Sequence, residues 1–324
     1  MSEWNPIVVK LDVIEKHPQA DTLEMSTILG GYVVVFKESR FKEGDLAAYI
    51  PSDTICSDNP EFDWLGDKKR IKPVKIRGIF SLGILASPPP NSQEGSSVVD
   101  FYGLKKYEYD EEAPDKFSDN EAPPNVIVPY YDLDALRRYQ YLLDDGEDVV
   151  ISEKIEGANA LFFHDGNRLW VKSRNWFKKQ DPSNIWWDAA IRYDLVNKLN
   201  RYPNKMFFAE LYGNVKGFSY DCELKNNKLQ TKLRFFDMYD CQNMLFANWS
   251  ALEEAIKDLE LETAPVIFKG EWSKDLMYLA EGKSLIGENI REGFVVRPSF
   301  EKIHPHQGRV ILKHKGETYL LKKK

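Results

Sequence analysis

The segment Ser152-Glu153-Lys154-Ile155-Glu156-Gly157-Ala158-Asn159 sets one lysine at the end of an apolar run, just before a glycine-containing turn. A lysine so placed projects into a cleft instead of bulk solvent, and once it has lost its proton it is a nucleophile. By average composition a Lys-x-acid-Gly tetrad arises by chance in roughly one chain of this length in six, so alone it also reads as a hairpin with a surface Lys/Glu pair.

Its company downstream adds weight. Ser173-Arg174-Asn175 closes a following strand, Phe208 to Gly213 puts Glu210 among aromatics, and Leu233 to Tyr239 carries Phe236 beside the lone acid Asp237. Arg291-Glu292-Gly293 then precedes an apolar strand, and Lys313 and Lys315 end another at i and i+2, on one face. Charged groups at the ends of apolar strands are costly to desolvate unless paired, so their recurrence points to one shared cleft. Neighbouring cations or a divalent metal disfavour the ammonium form of a lysine. Glu156, Glu210 and Glu292 suit hydrated Mg2+ or Mn2+, while Lys313, Lys315 and Arg174 suit phosphates. Together these serve nucleotidyl transfer, in which cations neutralise charge on nonbridging oxygens and a metal orients the group for in-line attack.

In order and spacing, KIEGAN, SRN, FFAELYG, LRFFDMY, REGFVVR and VILKHK resemble the six-part signature of covalent nucleotidyltransferases, the polynucleotide ligases and mRNA capping enzymes, over about Asp148 to Lys315. KIEGAN with SRN, in a chain ending nine residues after Lys315, is most similar to ATP-dependent RNA ligases. DNA ligases and capping enzymes carry a further OB domain after the last motif, for which this chain has no room. The resemblance implies Lys154 as the adenylated nucleophile, Glu153 as a contact to the base, Arg174 near the phosphates, Glu210 on the ribose hydroxyls and Phe236 stacked on adenine. It further implies Asp237 as a support, Glu292 as a ligand to metal-bound water, Lys313 and Lys315 on the α-phosphate, and Asn159 as available to the RNA ends. Where the family commonly has Asp two residues after the nucleophile this chain has Glu156, whose longer arm leaves direct metal contact, contact through water and no contact all open. The implied cofactors are ATP with Mg2+ or Mn2+. The implied activity seals RNA 3′-hydroxyl and 5′-phosphate ends through lysyl-AMP and RNA-adenylate, in RNA repair, with a nicked duplex among the candidate substrates.

Elements that position these residues follow from the patterning. From Ile7 to about Leu104, β-rich runs (Ile7 to Val13, Met25 to Leu29, Tyr32 to Phe36, Leu46 to Ile50, Val74 to Ile76, Gly83 to Leu85) alternate with Gly, Pro and Asp turns, as in a small barrel. Val9 to Leu29, Lys42 to Asp45, Arg70 to Lys72 and Ile76 to Gly83 resemble the OB-type tRNA-binding module and the N-terminal OB domain of one branch of RNA ligases. Its cationic groove would use Lys69, Arg70, Lys72, Lys75 and Arg77; the alternative is a domain that only braces the catalytic one. Residues 105–130, acidic and Pro-containing, read as a linker. A helix is expected from Leu133 with Asp132 as N-cap, another over Ile185 to Leu199, and a third behind a Ser250 to Glu253 capping box. Strands are expected at Val149 to Ile155, Ala158 to Phe163, Arg168 to Ser173, Met206 to Tyr212, Leu233 to Tyr239, Phe294 to Arg297 and Arg309 to His314. The expected fold is therefore α+β: an OB-type β-barrel (1–104), the linker, and a nucleotidyltransferase (ATP-grasp-like ligase) domain of antiparallel sheets with flanking helices (131–324).

The 324 residues suggest two domains. A net charge of −7 excludes a uniformly basic nucleic-acid coat, but Asp67 to Gly78 and Gly308 to Lys324 each concentrate six cations against one acid, pointing to a polyanionic partner. Three cysteines without a CxxC, a polar start and no long apolar run imply a reducing, cytoplasmic compartment with no membrane role, and a monomer is expected. Two rivals stand beside an RNA ligase: a GTP-dependent capping guanylyltransferase, and a non-catalytic tRNA- or RNA-binding protein. His304 and His306 read as a polar loop and His17 as structural. Trp170, Trp176, Trp186 and Trp187 read as core, except that Trp176, beside Lys178 and Lys179, is a candidate RNA contact.

Overall fold

The computed structural model describes residues 4–66, 69–107, 119–215, 218–221, 224–225 and 228–322. The chain divides into two units, one of 1–110, 134–141 and 320–324, the other of 111–133 and 142–319.

In the first unit, alternating apolar residues form short antiparallel strands. Leu46–Ile50 lies between Ile7–Lys10 and Ile84–Ala86, Leu23–Ile28 pairs with Tyr32–Lys37, and Val74–Ile76 pairs with Ile79–Ser81. The period-two pattern sends Ile7, Val9, Val34, Tyr49 and Leu85 into one core and Val8, Ala48, Ile50 and Ala86, with Phe62 and Tyr102, into a second. Residues 134–141 count with this unit, where the Arg137 guanidinium lies 5.7 Å from the Phe80 ring centre.

The second unit is built on two antiparallel sheets. In one, Leu312–Lys315, Gly293–Pro298, Asp148–Lys154 and Val266–Glu271 lie side by side in that order. In the other, Leu169–Lys172, Ala158–His164, Lys205–Val215, Thr231–Asp240 and Leu245–Phe246 do the same. The main core joins Phe162, Phe207 and Phe235 to Trp186, Trp187, Leu195, Trp249 and Ile256 of the helices Ile185–Arg192, Leu195–Leu199 and Trp249–Asp258. A smaller core of Leu161, Phe163, Met206, Phe208 and Tyr239 packs with Val126, Val128 and Tyr131.

Several expectations are corrected. The described parts of the expected linker are ordered against both units: Lys105 and Lys106 pair with Ile55 and Thr54 of the first, whereas in the second Glu121 N–H donates to Phe177 O at 2.9 Å and Val126 and Val128 pack against a core; residues 108–118 of that segment lie outside the described residues. The helix expected over Ile185 to Leu199 is two, because Asp194 takes a left-handed φ of 53° between them. Ser250 lies inside its helix; the N-cap is Asn248, whose Oδ1 accepts instead from Glu301 N–H at 2.7 Å. The helix after Leu133 is confined to Leu136–Tyr139, with Ala135 as N-cap, and Asp132 Oδ1 accepts from Leu133 N–H at 2.9 Å. The strand expected over Arg309 to His314 is interrupted, leaving Gly308–Arg309 and Leu312–Lys315.

One fully buried carboxylate ties the sheets together. Asp237 accepts from Arg309 at 2.6 and 3.2 Å, from Arg297 at 3.3 Å and from Tyr131 Oη at 2.8 Å. Glu301 completes the cluster, accepting from Arg309 Nε at 2.6 Å and from Arg297. Burial alone would raise the Asp237 carboxyl, but the two guanidiniums and these hydrogen bonds outweigh it and hold the group below the usual carboxylate range. A carboxylate depressed in the fold contributes stability that is full above its unfolded value, about 4, and is lost as pH falls through its folded value. Asp237→Asn leaves two buried guanidiniums to share the one remaining carboxylate, Glu301, and is expected to cost about 3 kcal/mol at pH 7 in urea denaturation. The gap to the unmutated chain should narrow only below about pH 4; a gap independent of pH would contradict this account.

Candidate active site

Strand register decides which side chains meet. Lys154 pairs with Gly293, which pairs with Lys315; Ser152 pairs with Val295, which pairs with Lys313. Lys154, Lys313 and Lys315 therefore share a face, with the half-buried Val295 as an apolar element among them. Gly293, at φ 153°, has no substitute here, since a Cβ would stand 1.9 Å from His314 O. The preceding residue carries the central charge. Glu292, with its side chain 6% exposed, accepts from Lys154 Nζ at 2.8 Å on Oε2 and lies 3.3 Å from Lys315 Nζ through Oε1.

The opposite face has another task. Glu153, buried, accepts Leu285 N–H at 2.7 Å and lies 3.8 Å from Arg291 Nε, while Arg291 Nη1 donates to Leu279 O at 2.7 Å. Its carboxylate braces the 279–291 loop and is not brought to the lysine face, because adjacent residues of a strand point to opposite sides.

The turn after Lys154 packs directly on the neighbouring sheet. A Cβ on Gly157 would lie 2.4 Å from Leu211 O and 3.0 Å from Glu210 Cγ, so only glycine lets the turn approach Glu210 this closely. Two tyrosines hold Glu156: Tyr319 Oη donates to its carboxylate and Tyr220 Oη to its main-chain oxygen. Burial, followed by the charges of Glu210, Glu156 and Glu292, pushes the Tyr220 phenol far above its ordinary range. Neither tyrosine stands out in the sequence. Tyr220 belongs to no motif, and Tyr319 follows the last motif with nothing to mark its target.

The other expected residues lie as follows. Asn159, Glu210 and Arg234 form one row across three strands, with Asn159 O accepting from Trp186 Nε1 at 3.1 Å. Phe236, at the strand irregularity opposite Phe208 and Ala209, packs 5.4 Å from Tyr131 and 6.5 Å from Phe208 between ring centres. Asp237 is the buried hub described above. Arg174 is largely exposed, 3.7 Å from Asp132 Oδ1. Trp176 is half exposed, but Lys178 is wholly buried, its Nζ donating to Asn120 Oδ1 at 2.6 Å and lying 5.4 Å from the Trp186 ring, so it is no surface contact. His17 is buried with a ring nitrogen 3.0 Å from Ile76 O.

In the first unit the basic run splits. Lys69 Nζ is 2.9 Å from Asp63 and 3.5 Å from Asp58, and Arg70 is 2.9 Å from Asp53 with its guanidinium 3.5 Å from the Tyr107 ring centre. Lys72, Lys75 and Arg77 are exposed, Arg77 donating to Gln19 O at 2.8 Å.

Among the described residues no three His, Cys, Asp or Glu side chains gather into a chelate. Glu156 and Glu292 are hard oxygen donors already bonded to a phenol and to ammonium groups, and so fit a hydrated Mg2+ or Mn2+ reached through water better than a directly chelated ion.

A strand-end lysine, a carboxylate joining it to a second lysine, and a glutamate on the facing sheet define a nucleotidyltransferase type of catalytic body. The RNA ligase family model matches residues 147–315, more than half of the chain, and an OB-fold domain model matches residues 7–88. The chain belongs to the RNA ligase family. No curated protein matches it. Among solved structures, a mutant of Naegleria gruberi RNA ligase with ATP and Mn is similar at TM-score 0.80 and 20% identity, covering 98% of both chains. The same enzyme with PPi gives TM-score 0.79 at 20% identity over 99% of both chains, and a mutant with AMP and Mn gives 0.80 at 20% over 98% of both. The family match removes the capping-enzyme rival.

If Glu292 is the shared counter-charge of the site, Glu292→Ala should lower covalent labelling by radiolabelled ATP on the order of 100-fold or more. Lys75→Ala, on an exposed hairpin strand of the first unit, should stay within about twofold; comparable losses would refute that division.

Proposed function

We propose that the chain is an ATP-dependent RNA ligase. Lys154 Nζ attacks the α-phosphorus of ATP, forming a phosphoramide bond to AMP as pyrophosphate leaves. The AMP passes to an RNA 5′-phosphate, and a 3′-hydroxyl then attacks that phosphate, releasing AMP and closing the phosphodiester. The carrying observation is the Lys154 to Glu292 hydrogen bond at 2.8 Å, with Lys315 on the other carboxylate oxygen. Glu292 Oε2 already accepts from Nζ and is placed to receive the proton that the nucleophile loses. Lys313 and Lys315 supply positive charge on the same face for the α-phosphate oxygens, and Val295 offers an apolar contact for a flat base. Glu210, on the neighbouring strand, suits ribose hydroxyls. A hydrated Mg2+ or Mn2+ held by Glu292 and Glu156 would offset charge on the triphosphate. The Naegleria structures, in complex with ATP, AMP or PPi, support this choice of nucleotide.

The substrate in this reading is RNA with 3′-hydroxyl and 5′-phosphate ends, a nicked duplex among them, in RNA repair by a cytoplasmic monomer. Lys72, Lys75 and Arg77 are the preferred phosphate contacts of the OB-fold domain, because all three are exposed.

Incubation with radiolabelled ATP and a divalent metal should label the unmutated chain and leave Lys154→Ala unlabelled. No label on the former, equal label on both, or stronger labelling by GTP would sink the reading. RNA affinity should fall as salt rises, and Lys75→Ala should reduce the slope of log K against log salt by about 0.7–0.9; an unchanged slope would remove this hairpin from the RNA contact.

A further inference from the structure

The glutamate standing where related ligases commonly have aspartate has one more methylene than that aspartate, and fixing the longer arm costs additional rotamer entropy. The structure contains a device that offsets this. Immediately after Lys315 the chain is held at successive points: Gly316 N–H donates to Glu292 O at 3.0 Å, Glu317 N–H to Glu281 Oε1 at 2.6 Å and Thr318 N–H to Glu281 Oε2 at 3.3 Å. Gly316 is itself pressed onto the 280–281 turn, where a Cβ would stand 2.7 Å from Ala280 O. These ties fix the start of the helix Glu317–Lys322, and the next residue, Tyr319, is 7% exposed with its hydroxyl on the Glu156 carboxylate. Tyr220 holds the main-chain oxygen of the same glutamate, so both ends of Glu156 are tethered.

We propose that Tyr319 is a positioning residue: from the C-terminal helix it pins the carboxylate of Glu156, two residues after Lys154, where the metal-bearing triphosphate arrives. The proposal rests on the ligase reading above. It also couples the last motif of the chain to the first, since the residues that anchor Tyr319 follow directly on Lys315, Gly316 bonding to Glu292 O and Glu317 and Thr318 to the Glu281 carboxylate.

The test is a double-mutant cycle in the full-length chain, made of Tyr319→Phe, Glu156→Asp and the double variant, with the rate of lysyl-AMP formation measured against Mn2+ concentration. Aspartate retracts the carboxylate by about 1.5 Å, one C–C bond, out of reach of the phenol. Tyr319→Phe is expected to raise the half-saturating Mn2+ concentration about 5-fold in the Glu156 chain and less than 2-fold in the Glu156→Asp background, where the hydroxyl has nothing to hold. A second readout needs no turnover: with Lys154→Met keeping ATP unreacted, Mn2+ binding to the ATP complex, followed by the EPR signal of free Mn2+, should weaken by a similar factor when Tyr319→Phe is added. Unchanged Mn2+ dependence in Tyr319→Phe, or an equal loss in both backgrounds, would overturn the positioning role. Equal losses accompanied by a lowered melting temperature would assign Tyr319 to structure alone. Failure of the unmutated chain to label would instead overturn the underlying ligase reading.

Discussion

Two ammonium groups share one carboxylate at the centre of the candidate site. Lys154 and Lys315 stand on strands separated only by the one that begins at Gly293, and like charges so near repel unless a counter-charge lies between them. Glu292 supplies it while being almost wholly removed from water, so the attraction is little screened. The arrangement needs a residue before Gly293 whose side chain turns into the row, and it needs Gly293 itself, because any Cβ there would collide with His314 O.

Around this point charged residues divide into those that serve the cleft and those that build it. Glu153 and Asp237 stand in motif positions next to functional ones, yet both are consumed by structure: one holds an amide of the 279–291 loop, the other binds two guanidiniums and a phenol in the interior. The Asp237 cluster joins Arg297 of one sheet to the strand Thr231–Asp240 of the other, setting the spacing between the surfaces that carry Lys154 and Glu210. The proposed nucleotide site between the two sheets requires that spacing to be constant, and a largely buried ionic hub maintains it at the cost of desolvating five polar groups.

Legibility in the sequence followed the range of the interactions. Strand alternation made the shared face of Lys313 and Lys315 readable, and it also placed Glu153 opposite Lys154, although the resemblance to related ligases assigned Glu153 to the base. Helical periodicity gave the helical character of the segment Ile185 to Leu199 but not its break at the left-handed Asp194, which leaves Leu195 and Leu199 buried and Ile191, at the same spacing, half exposed. The Ser250 capping box failed because the helix starts two residues earlier, after Asn248, whose side chain serves Glu301 and does not cap the helix.

The sequence by itself determined the chemistry: which lysine ends an apolar strand, which acids and cations follow it and in what order, and where the glycines permit close approach. Tertiary structure alone decided the partners. Glu156 meets Tyr220 and Tyr319 across 64 and 163 positions of chain, and Lys154 meets Glu292 across 138. Local patterning governs neighbours within a turn or along a strand; contacts between residues this far apart depend on how the sheets stack, which no short window of sequence encodes.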